Sequence, residues 1–195
     1  MTRRDPARIA AVLVAVALLA ALAWVVTRPL GTTTGASDPS GEGSGRVGTA
    51  IGDRAPAFDD EKGRPALTDL DGAPVRLADV AGHPVWIVFW ATWCTPCQEE
   101  AADIVAAYHA HRDAGLTVLA IDVQEPASSV RGFVSEHGID YRIALDPTAA
   151  VQTRYGGWGL PVHFFLDADG TIRDRYIGQL TRDTMEEHLG AIVGS

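Results

Sequence analysis

The sequence of 195 residues contains only two cysteines, Cys94 and Cys97, which lie three positions apart. Two cysteines cannot build the multi-disulfide framework of a small secreted domain. They also cannot supply four thiolates to a structural zinc site by themselves. The two cysteines can therefore be buried packing residues, form one structural disulfide, or take part in redox or metal chemistry at a single site.

Positive charge is also scarce. The chain has 16 Lys and Arg residues against 25 Asp and Glu, a formal net charge of −9. From residue 51 onward, 11 basic residues stand against 22 acidic ones, a balance of −11. Nucleic-acid-binding domains need a basic face for phosphates, so this composition argues against a nucleic-acid partner. An acidic domain also does not adhere to an anionic membrane surface.

The N-terminal part predicts export. Residues 9–26 form an uncharged apolar run without Gly or Pro. A helix of this length measures about 27 Å, close to the thickness of the hydrocarbon core. Arg3, Arg4 and Arg8 precede the run, and Trp24 suits the interfacial belt at its far end. The positive-inside rule then predicts a cytoplasmic segment 1–8, a transmembrane signal-anchor 9–27 and a soluble domain outside the cytoplasm.

A cleavable signal peptide is the alternative, because Ala21-Leu22-Ala23 is an acceptable small-x-small cleavage site. Both interpretations place the main domain where disulfide chemistry is possible. Residues 28–50 are rich in Gly, Ser and Thr and nearly devoid of apolar residues. Such a composition cannot form a core, so we expect a flexible linker there.

Residues 51–195 have the pattern of one α/β domain. Apolar runs predict buried strands, the turn signals Asp71-Gly72 and Asp169-Gly170 predict hairpins, and Gly115 and Gly138 mark helix ends. Strands and helices alternate, which predicts a central sheet covered by helices on both faces. Strands are expected at 85–90, 116–123, 141–145, 161–167 and 172–177, and helices at 96–114, 128–137 and 181–193.

The two cysteines lie where a buried strand gives way to a helix. Cys94 directly follows the strand, and Pro96 suits the first turn of the helix because it has no N–H to leave unpaired. The helix N-terminus favours a thiolate. We therefore expect Cys94 to be the exposed attacking thiolate and Cys97 to be deeper and to resolve the mixed disulfide. Glu99 and Glu100 follow and oppose a nearby thiolate, so the net effect on Cys94 stays open.

The stretch Val88-Phe89-Trp90-Ala91-Thr92-Trp93-Cys94-Thr95-Pro96-Cys97 resembles the active-site segment of the thioredoxin superfamily. More narrowly, residues 51–193 resemble the ResA/TlpA-type extracytoplasmic thiol-disulfide oxidoreductases, which have a redoxin-like (AhpC/TSA-like) domain. Four further segments carry the resemblance: the G-x-x-A-P-x-F opening at 52–58, a helix-plus-strand insertion at 124–146, the Gly159-Leu160-Pro161 loop and the hairpin at 165–170.

The resemblance implies a thioredoxin-like fold with a central mixed sheet flanked by helices, an N-terminal hairpin and the central insertion. It also implies that Pro161 is cis, against the alternative of an ordinary trans turn proline, and that the Leu160 backbone pairs with an extended substrate. Substrate contacts are expected from Trp93, Thr95 and Pro96 beside the cysteines. Trp158 either contacts substrate or simply packs.

The chain departs from its relatives at two positions. Plain thioredoxins carry a buried Asp where this chain has Val88, and Glu125 matches a Glu that serves the ResA branch instead. Glu125 is thus expected to relay the proton of Cys97, against the alternative of an exposed loop residue beside Pro126. His163 stands where the family often has Thr. It is a core residue, a proton donor or a metal ligand with the cysteines.

The resemblance implies an extracytoplasmic reductant of disulfides in exported proteins such as apocytochrome c, supplied with electrons by a membrane donor. It implies no cofactor beyond the redox-active Cys94–Cys97 disulfide, and no metal. The alternatives are an oxidant of exported proteins, a copper-binding chaperone that uses Cys94, Cys97 and His163, and a structural module with an inert disulfide. Composition and spacing do not fix the direction of electron flow.

Overall fold

The computed structural model describes residues 46–194. The predicted cytoplasmic segment 1–8, the signal-anchor 9–27 and most of the linker 28–50 lie outside the described residues. No helix in the described part of the chain combines the length and the apolar character that a membrane span requires.

A seven-stranded mixed sheet forms the centre of the domain, in the order β2-β1-β5-β4-β3-β6-β7. The central strands β3, β4 and β5 are parallel, whereas β6 and β7 run antiparallel to their neighbours on one side and β1 and β2 on the other. The strands are β1 Leu67–Thr68, β2 Pro74–Val75, β3 Val85–Trp90, β4 Thr117–Val123, β5 Arg142–Asp146, β6 Val162–Leu166 and β7 Ile172–Ile177.

Four α-helices cover the sheet: α1 Thr95–His111, α2 Ala127–Glu136, α3 Ala150–Arg154 and α4 Arg182–Gly190. Short 3₁₀ turns at Leu77–Val80 and Arg112–Ala114 complete the regular structure of the described residues. Successive residues of a strand point to opposite faces, so the long apolar strands feed two separate cores. One core joins the sheet to α1, α2 and α4, and the other joins it to α3 and Phe58.

The predicted fold class is confirmed, including the hairpin β1–β2 and the inserted pair α2 and β5. Strand β3 has the predicted bounds, because every residue in it is buried and a continuous apolar run indicates such a strand. Helix α1 ends three residues earlier than predicted, and a 3₁₀ turn leads to Gly115 at φ +93°. Pattern analysis missed α3, which is only five residues long and therefore too short to show a helical period.

The folded part begins before residue 51. Residues 46–50, assigned to the linker from composition, hydrogen-bond to the domain: Gly48 N–H donates to Arg54 O, and the Arg46 guanidinium pairs with Asp53 at 3.0 Å. The Arg175 guanidinium donates to Thr49 O. These residues are held by hydrogen bonds and ion pairs and not by apolar contacts, which is why composition failed to identify them.

Asp146 holds the start of α3. It is fully buried at the end of β5, and its carboxylate accepts hydrogen bonds from the N–H groups of Ala150, Val151 and Gln152 at 2.8–2.9 Å. The first N–H groups of a helix have no partner within the helix, so a side chain must satisfy them.

We expect Asp146→Ala to lower the free energy of unfolding by about 2 kcal/mol, at the upper end for loss of a helix cap, because three N–H donors lose their acceptor. Urea unfolding followed by circular dichroism measures the change. Asp113→Ala, at an exposed aspartate, is the matched control and should change stability little. An equal loss in both variants would contradict the capping role.

Candidate active site

The two cysteines form a disulfide at the point where β3 passes into α1. Cys94 is the N-cap residue of α1, and Thr95 and Pro96 form its first turn. Cys97 lies one turn further on, with the two Cα atoms 5.2 Å apart. The backbone is fixed here, since Cys94 N–H donates to Ala91 O and Gln98 N–H donates to Cys94 O. The disulfide therefore lies at the helix N-terminus, as predicted.

Burial differs from the prediction in one respect. Cys94 was expected to be exposed, but it is 5% exposed and Cys97 is 3% exposed, so both sulfurs belong to the core of the oxidised protein. Trp93 is 66% exposed beside them, and Thr95 and Pro96 are also exposed. Both cysteines pack with residues of β3 and α1 in the same core cluster. The exposed neighbours offer the contact surface at this edge.

The Leu160–Pro161 peptide bond is cis, as the resemblance implies. Val162 pairs with Phe89 near the end of β3, so the cis bond lies at the edge of the sheet from which the cysteines follow. Leu160 packs against the core that contains Cys94 and Cys97. Pro161 is buried, while Leu160 is half-buried.

Trp158 is 43% exposed, and its contacts with Gly156 and Arg175 define its position. Its indole lies against Gly156, where an added Cβ would approach the indole nitrogen to 2.1 Å. The guanidinium of Arg175, on β7, lies 5.8 Å from the centre of the Trp158 ring, within cation–π range. Gly156, at φ +115°, therefore combines a backbone conformation and a close approach that other residues do not tolerate. Trp158 is thus held in place as a partly exposed aromatic surface.

Glu125 binds the active-site loop. Its two carboxylate oxygens accept hydrogen bonds from the main-chain N–H and the hydroxyl of Thr92, each at 2.5 Å. Gln124, just before it, adopts φ +64°, a conformation that is uncommon outside glycine. This turn directs Glu125 from the end of β4 to Thr92, two residues before Cys94. The contacts of Glu125 indicate that it positions the loop.

A second acid, Asp122, lies under Glu125. Asp122 is fully buried, with a relative exposure of 0%. Its pKa is raised to about 8, chiefly by burial and further by the neighbouring Glu125 carboxyl. Neither Asp122 oxygen has a hydrogen-bond partner among the described residues. Burial and the neighbouring Glu125 carboxyl therefore both favour the protonated form of Asp122.

Plain thioredoxins have a buried Asp where this chain has Val88, and Glu100 is the buried carboxyl group that most resembles it. It is 1% exposed and lines a cavity of about 10 Å³ together with Cys97, Trp90 and Tyr141. Burial raises the pKa of Glu100 to about 8, although its carboxylate accepts the Leu180 N–H at 2.9 Å. Burial thus favours the protonated form of Glu100, which opposes a nearby thiolate less than an ionised carboxylate does. Glu99, in contrast, is exposed.

His163 is a core residue. Its ring is wholly buried, and its Nδ1 and Nε2 atoms lie 3.3 Å from Trp86 Nε1 and 3.2 Å from Gly178 O. Burial lowers the pKa of His163 to about 3. Within residues 46–194 no three His, Cys, Asp or Glu side chains are grouped so that they could hold a metal ion. In this oxidised structure the sulfurs of Cys94 and Cys97 are bonded to each other, and the two cysteines do not form such a group with His163.

Sequence analysis passed over Glu100, Asp122 and Thr92 as site residues. The first had a detectable signal, because the buried face of α1 comprises Cys97, Glu100, Ala101, Ile104 and Ala107 at helical spacing. Asp122 alternates with Val118 and Ala120 on one face of β4. Thr92 had no comparable signal, since its role depends on a partner 33 positions away.

A buried disulfide at the start of a helix, next to a cis-proline loop on an adjacent strand, is the arrangement of a thioredoxin-fold thiol-disulfide oxidoreductase. Comparison with known proteins agrees with this class. The AhpC/TSA family model matches residues 51–175. Thiol-disulfide oxidoreductase ResA of Bacillus thuringiensis is 32% identical over 142 residues, which cover 73% of this chain and 78% of the relative.

Two solved structures extend the comparison. Thiol:disulfide interchange protein DsbE from Chlorobium tepidum superposes with a TM-score of 0.63 at 25% identity, covering 74% of this chain and 99% of that one. A secreted Mycobacterium tuberculosis disulfide oxidoreductase homologous to DsbE gives 0.59 at 25% identity, covering 64% and 93%. The chain belongs to the AhpC/TSA family and, within it, to the ResA-type thiol-disulfide oxidoreductases. Its reaction is the exchange of protein thiols and disulfides.

We expect Glu125→Gln to lower the pKa of Asp122, because the negative charge that opposes its ionisation is gone, while burial keeps the pKa above that of an exposed aspartate. The variant should also lower stability by about 1.5–3 kcal/mol through loss of one charged hydrogen bond to Thr92. Carboxyl ¹³C titration by NMR reports the first effect and urea unfolding the second. Glu136→Gln, at an exposed glutamate on α2, is the control. An unchanged Asp122 titration would show that the Glu125 carboxyl does not oppose the ionisation of Asp122.

Proposed function

We propose that this protein is an extracytoplasmic reductant of disulfides in exported proteins. The observation that carries the proposal is the placement of the Cys94–Cys97 disulfide at the N-terminus of α1 with the protonated Glu100 carboxyl in the same small cavity as Cys97. This arrangement supplies both an activated nucleophile and a proton carrier. The reducing direction rests on the resemblance to the ResA branch.

In the first step the reduced Cys94 thiolate attacks one sulfur of the substrate disulfide. The substrate S–S bond breaks, a Cys94–substrate disulfide forms, and the released substrate thiolate takes up a proton. The helix N-terminus stabilises the Cys94 thiolate through its free N–H groups and dipole. Trp93, Thr95, Pro96 and Trp158 offer the surface that the substrate covers, and the Leu160 backbone pairs with its extended chain.

In the second step Cys97 attacks the Cys94 sulfur. The ionised form of Glu100, which is the minor form below its pKa of about 8, takes the proton of the Cys97 thiol. The Cys94–substrate bond breaks, and the second substrate sulfur leaves as a thiolate that takes up a proton from solvent. Two electrons thereby pass from the protein dithiol to the substrate, and the Cys94–Cys97 disulfide forms. The pKa of Glu100, about 8, is close to the value of about 8.5 for a free thiol, so proton transfer between them is nearly balanced.

Glu125 then takes a supporting role in the proposal. Its contacts hold Thr92 and with it the loop that presents Trp93 and Cys94. A proton relay from Cys97 through Glu125 is the other role that sequence analysis predicts for it. Among the residues that line the cavity beside Cys97, Glu100 is the acidic one, and this favours Glu100 as the proton acceptor.

The direction of electron flow predicts a reduction potential for the Cys94–Cys97 pair at or below about −270 mV, the value of thioredoxin. Equilibration of the full-length protein in glutathione or dithiothreitol redox buffers, followed by thiol alkylation, measures it. A value near −120 mV, typical of a strong oxidant, would instead favour an oxidant of exported proteins.

Trapping of mixed disulfides tests the cellular location of the protein and the identity of its substrate together. Cys97→Ser removes the resolving thiol, so the full-length variant should accumulate mixed disulfides through Cys94 in intact cells. We expect the captured proteins to be exported ones, with apocytochrome c among them, and the membrane electron donor to be captured as well. Cys94→Ser is the control and should capture several-fold less. Capture of cytoplasmic proteins alone would contradict the proposed location.

A further inference from the structure

The buried neighbour of Glu100 is His163, the residue at which this chain departs from its relatives. Glu100 Oε1 lies 3.5 Å from His163 Nε2, and both side chains have 0% exposure. Glu100 belongs to α1 and His163 to β6, the strand that follows the cis-proline. The contact therefore joins the helix at the disulfide to the strand that follows the cis-proline.

The hydrogen bonds of His163 fix its protonation. The indole Nε1–H of Trp86 can only donate, so His163 Nδ1 must accept, at 3.3 Å. The ring proton is then on Nε2, where it is donated to Gly178 O at 3.2 Å. Burial also disfavours the doubly protonated ring. His163 is thus a neutral ring with a fixed tautomer, and its N–H lies on the side of Glu100.

The two oxygens of Glu100 have different surroundings. Oε2 accepts the Leu180 N–H at 2.9 Å, whereas Oε1 has no hydrogen-bond partner among the described residues and lies 3.5 Å from His163 Nε2, whose N–H donates to Gly178 O. The distance of 3.5 Å exceeds that of a well-formed hydrogen bond. The N–H dipole still acts on Oε1, because both side chains are buried where the dielectric constant is low. The positive end of an N–H dipole close to a carboxyl oxygen favours the ionised form, so His163 opposes the effect of burial on Glu100.

Other titratable groups near this pair are few. Tyr141 and Cys97 line the cavity next to Glu100, and burial together with Glu100 raises the pKa of Tyr141, so its phenol remains neutral. His188 acts on His163 from α4, where its Nδ1 pairs with Asp174 at 2.7 Å. None of these groups touches Glu100 Oε1 with a donor as close as His163. The proton affinity of Glu100 is therefore open to tuning by this one ring.

We propose that His163 is a positioning residue for thiol-disulfide exchange: its Nε2, held in place by the hydrogen bonds of the ring to Trp86 and Gly178, lies 3.5 Å from Glu100 Oε1, and its N–H dipole sets how readily Glu100 accepts the proton of Cys97. The inference rests on the proposed role of Glu100. It assigns to a neutral histidine a function that needs no proton transfer by the ring itself.

The test follows the resolving step alone. The full-length protein carrying a Cys94–glutathione mixed disulfide is prepared, and release of glutathione by Cys97 is timed from pH 5 to pH 10. In the wild type the rate should show an inflection from Glu100 that is lost in Glu100→Gln, in which only the ionisation of Cys97 itself remains. His163→Leu removes the N–H donor and should move this inflection upward by about one pH unit, a tenfold rise in the proton affinity of Glu100. His163→Gln restores an acceptor for Trp86 and a donor for Glu100, and should return the inflection toward its wild-type position.

The outcomes separate the two ideas. If Glu100→Gln leaves the pH profile unchanged, the proposed role of Glu100 fails. If Glu100→Gln abolishes the inflection but folded His163→Leu leaves it in place, only the role of His163 is overturned. The same conclusion follows if His163→Gln and His163→Leu shift it equally, because then packing and not the N–H donor matters.

A measurement on the wild type covers the case in which His163→Leu does not fold. Nitrogen NMR of ¹⁵N-histidine should show His163 as the Nε2–H tautomer throughout pH 5 to 9. The Nε2 shift should move as Glu100 titrates, and this movement should vanish in Glu100→Gln. An Nδ1–H tautomer, or an Nε2 shift insensitive to the titration of Glu100, would overturn the proposal.

Discussion

Complete burial of β3 is the constraint on which the rest of the structure depends. The strand lies between β4 and β6, and each of its six residues is buried. Its even-numbered residues pack toward α1 and its odd-numbered residues toward the opposite core. A strand fixed on both faces and both edges leaves its carboxyl end little freedom. The turn from Ala91 to Cys94 therefore begins from a rigid base, and the disulfide inherits that rigidity.

Polar groups buried around this base have two different functions. Asp146 satisfies three N–H donors of a helix and is structural. Glu100 and Asp122 instead lie beside the active-site segment with pKa values raised to about 8. Burying a carboxyl group that must remain protonated costs stability at neutral and higher pH, since the unfolded chain releases that proton. Such a cost is expected where proton affinity, and not stability, is what the group contributes.

The surface near the disulfide is apolar in an otherwise acidic domain. Trp93, beside Cys94, and Trp158, in the segment before the cis-proline, are exposed, and Ile177, paired with Val162, is exposed near the cis-proline. Exposed aromatic groups at a covered sulfur give a substrate contact area before any bond is exchanged. Because Cys94 is covered in the oxidised form, access to its sulfur depends on what occupies this surface.

The sequence by itself determined the class of fold and the reacting pair. A continuous apolar run can only be a buried element, Cys94 and Cys97 follow it at helical spacing, and the Leu160-Pro161 loop was recognisable by resemblance. These features are local, so neighbouring residues are enough to predict them. Helix α3 escaped prediction because five residues are too few to show a helical period. The contacts of residues 46–50 escaped it because they are hydrogen bonds and ion pairs, which composition does not reveal.

The tertiary structure alone decided the roles of the acids and of His163. Glu99 and Glu100 are adjacent in sequence, yet one is exposed and the other is buried beside Cys97. Glu125 meets Thr92 from 33 positions away, and Glu100 meets His163 across two elements. The proton affinity of a carboxyl group depends on its burial and on the donors that face it. Those are properties of the packed core, and no short stretch of sequence contains them.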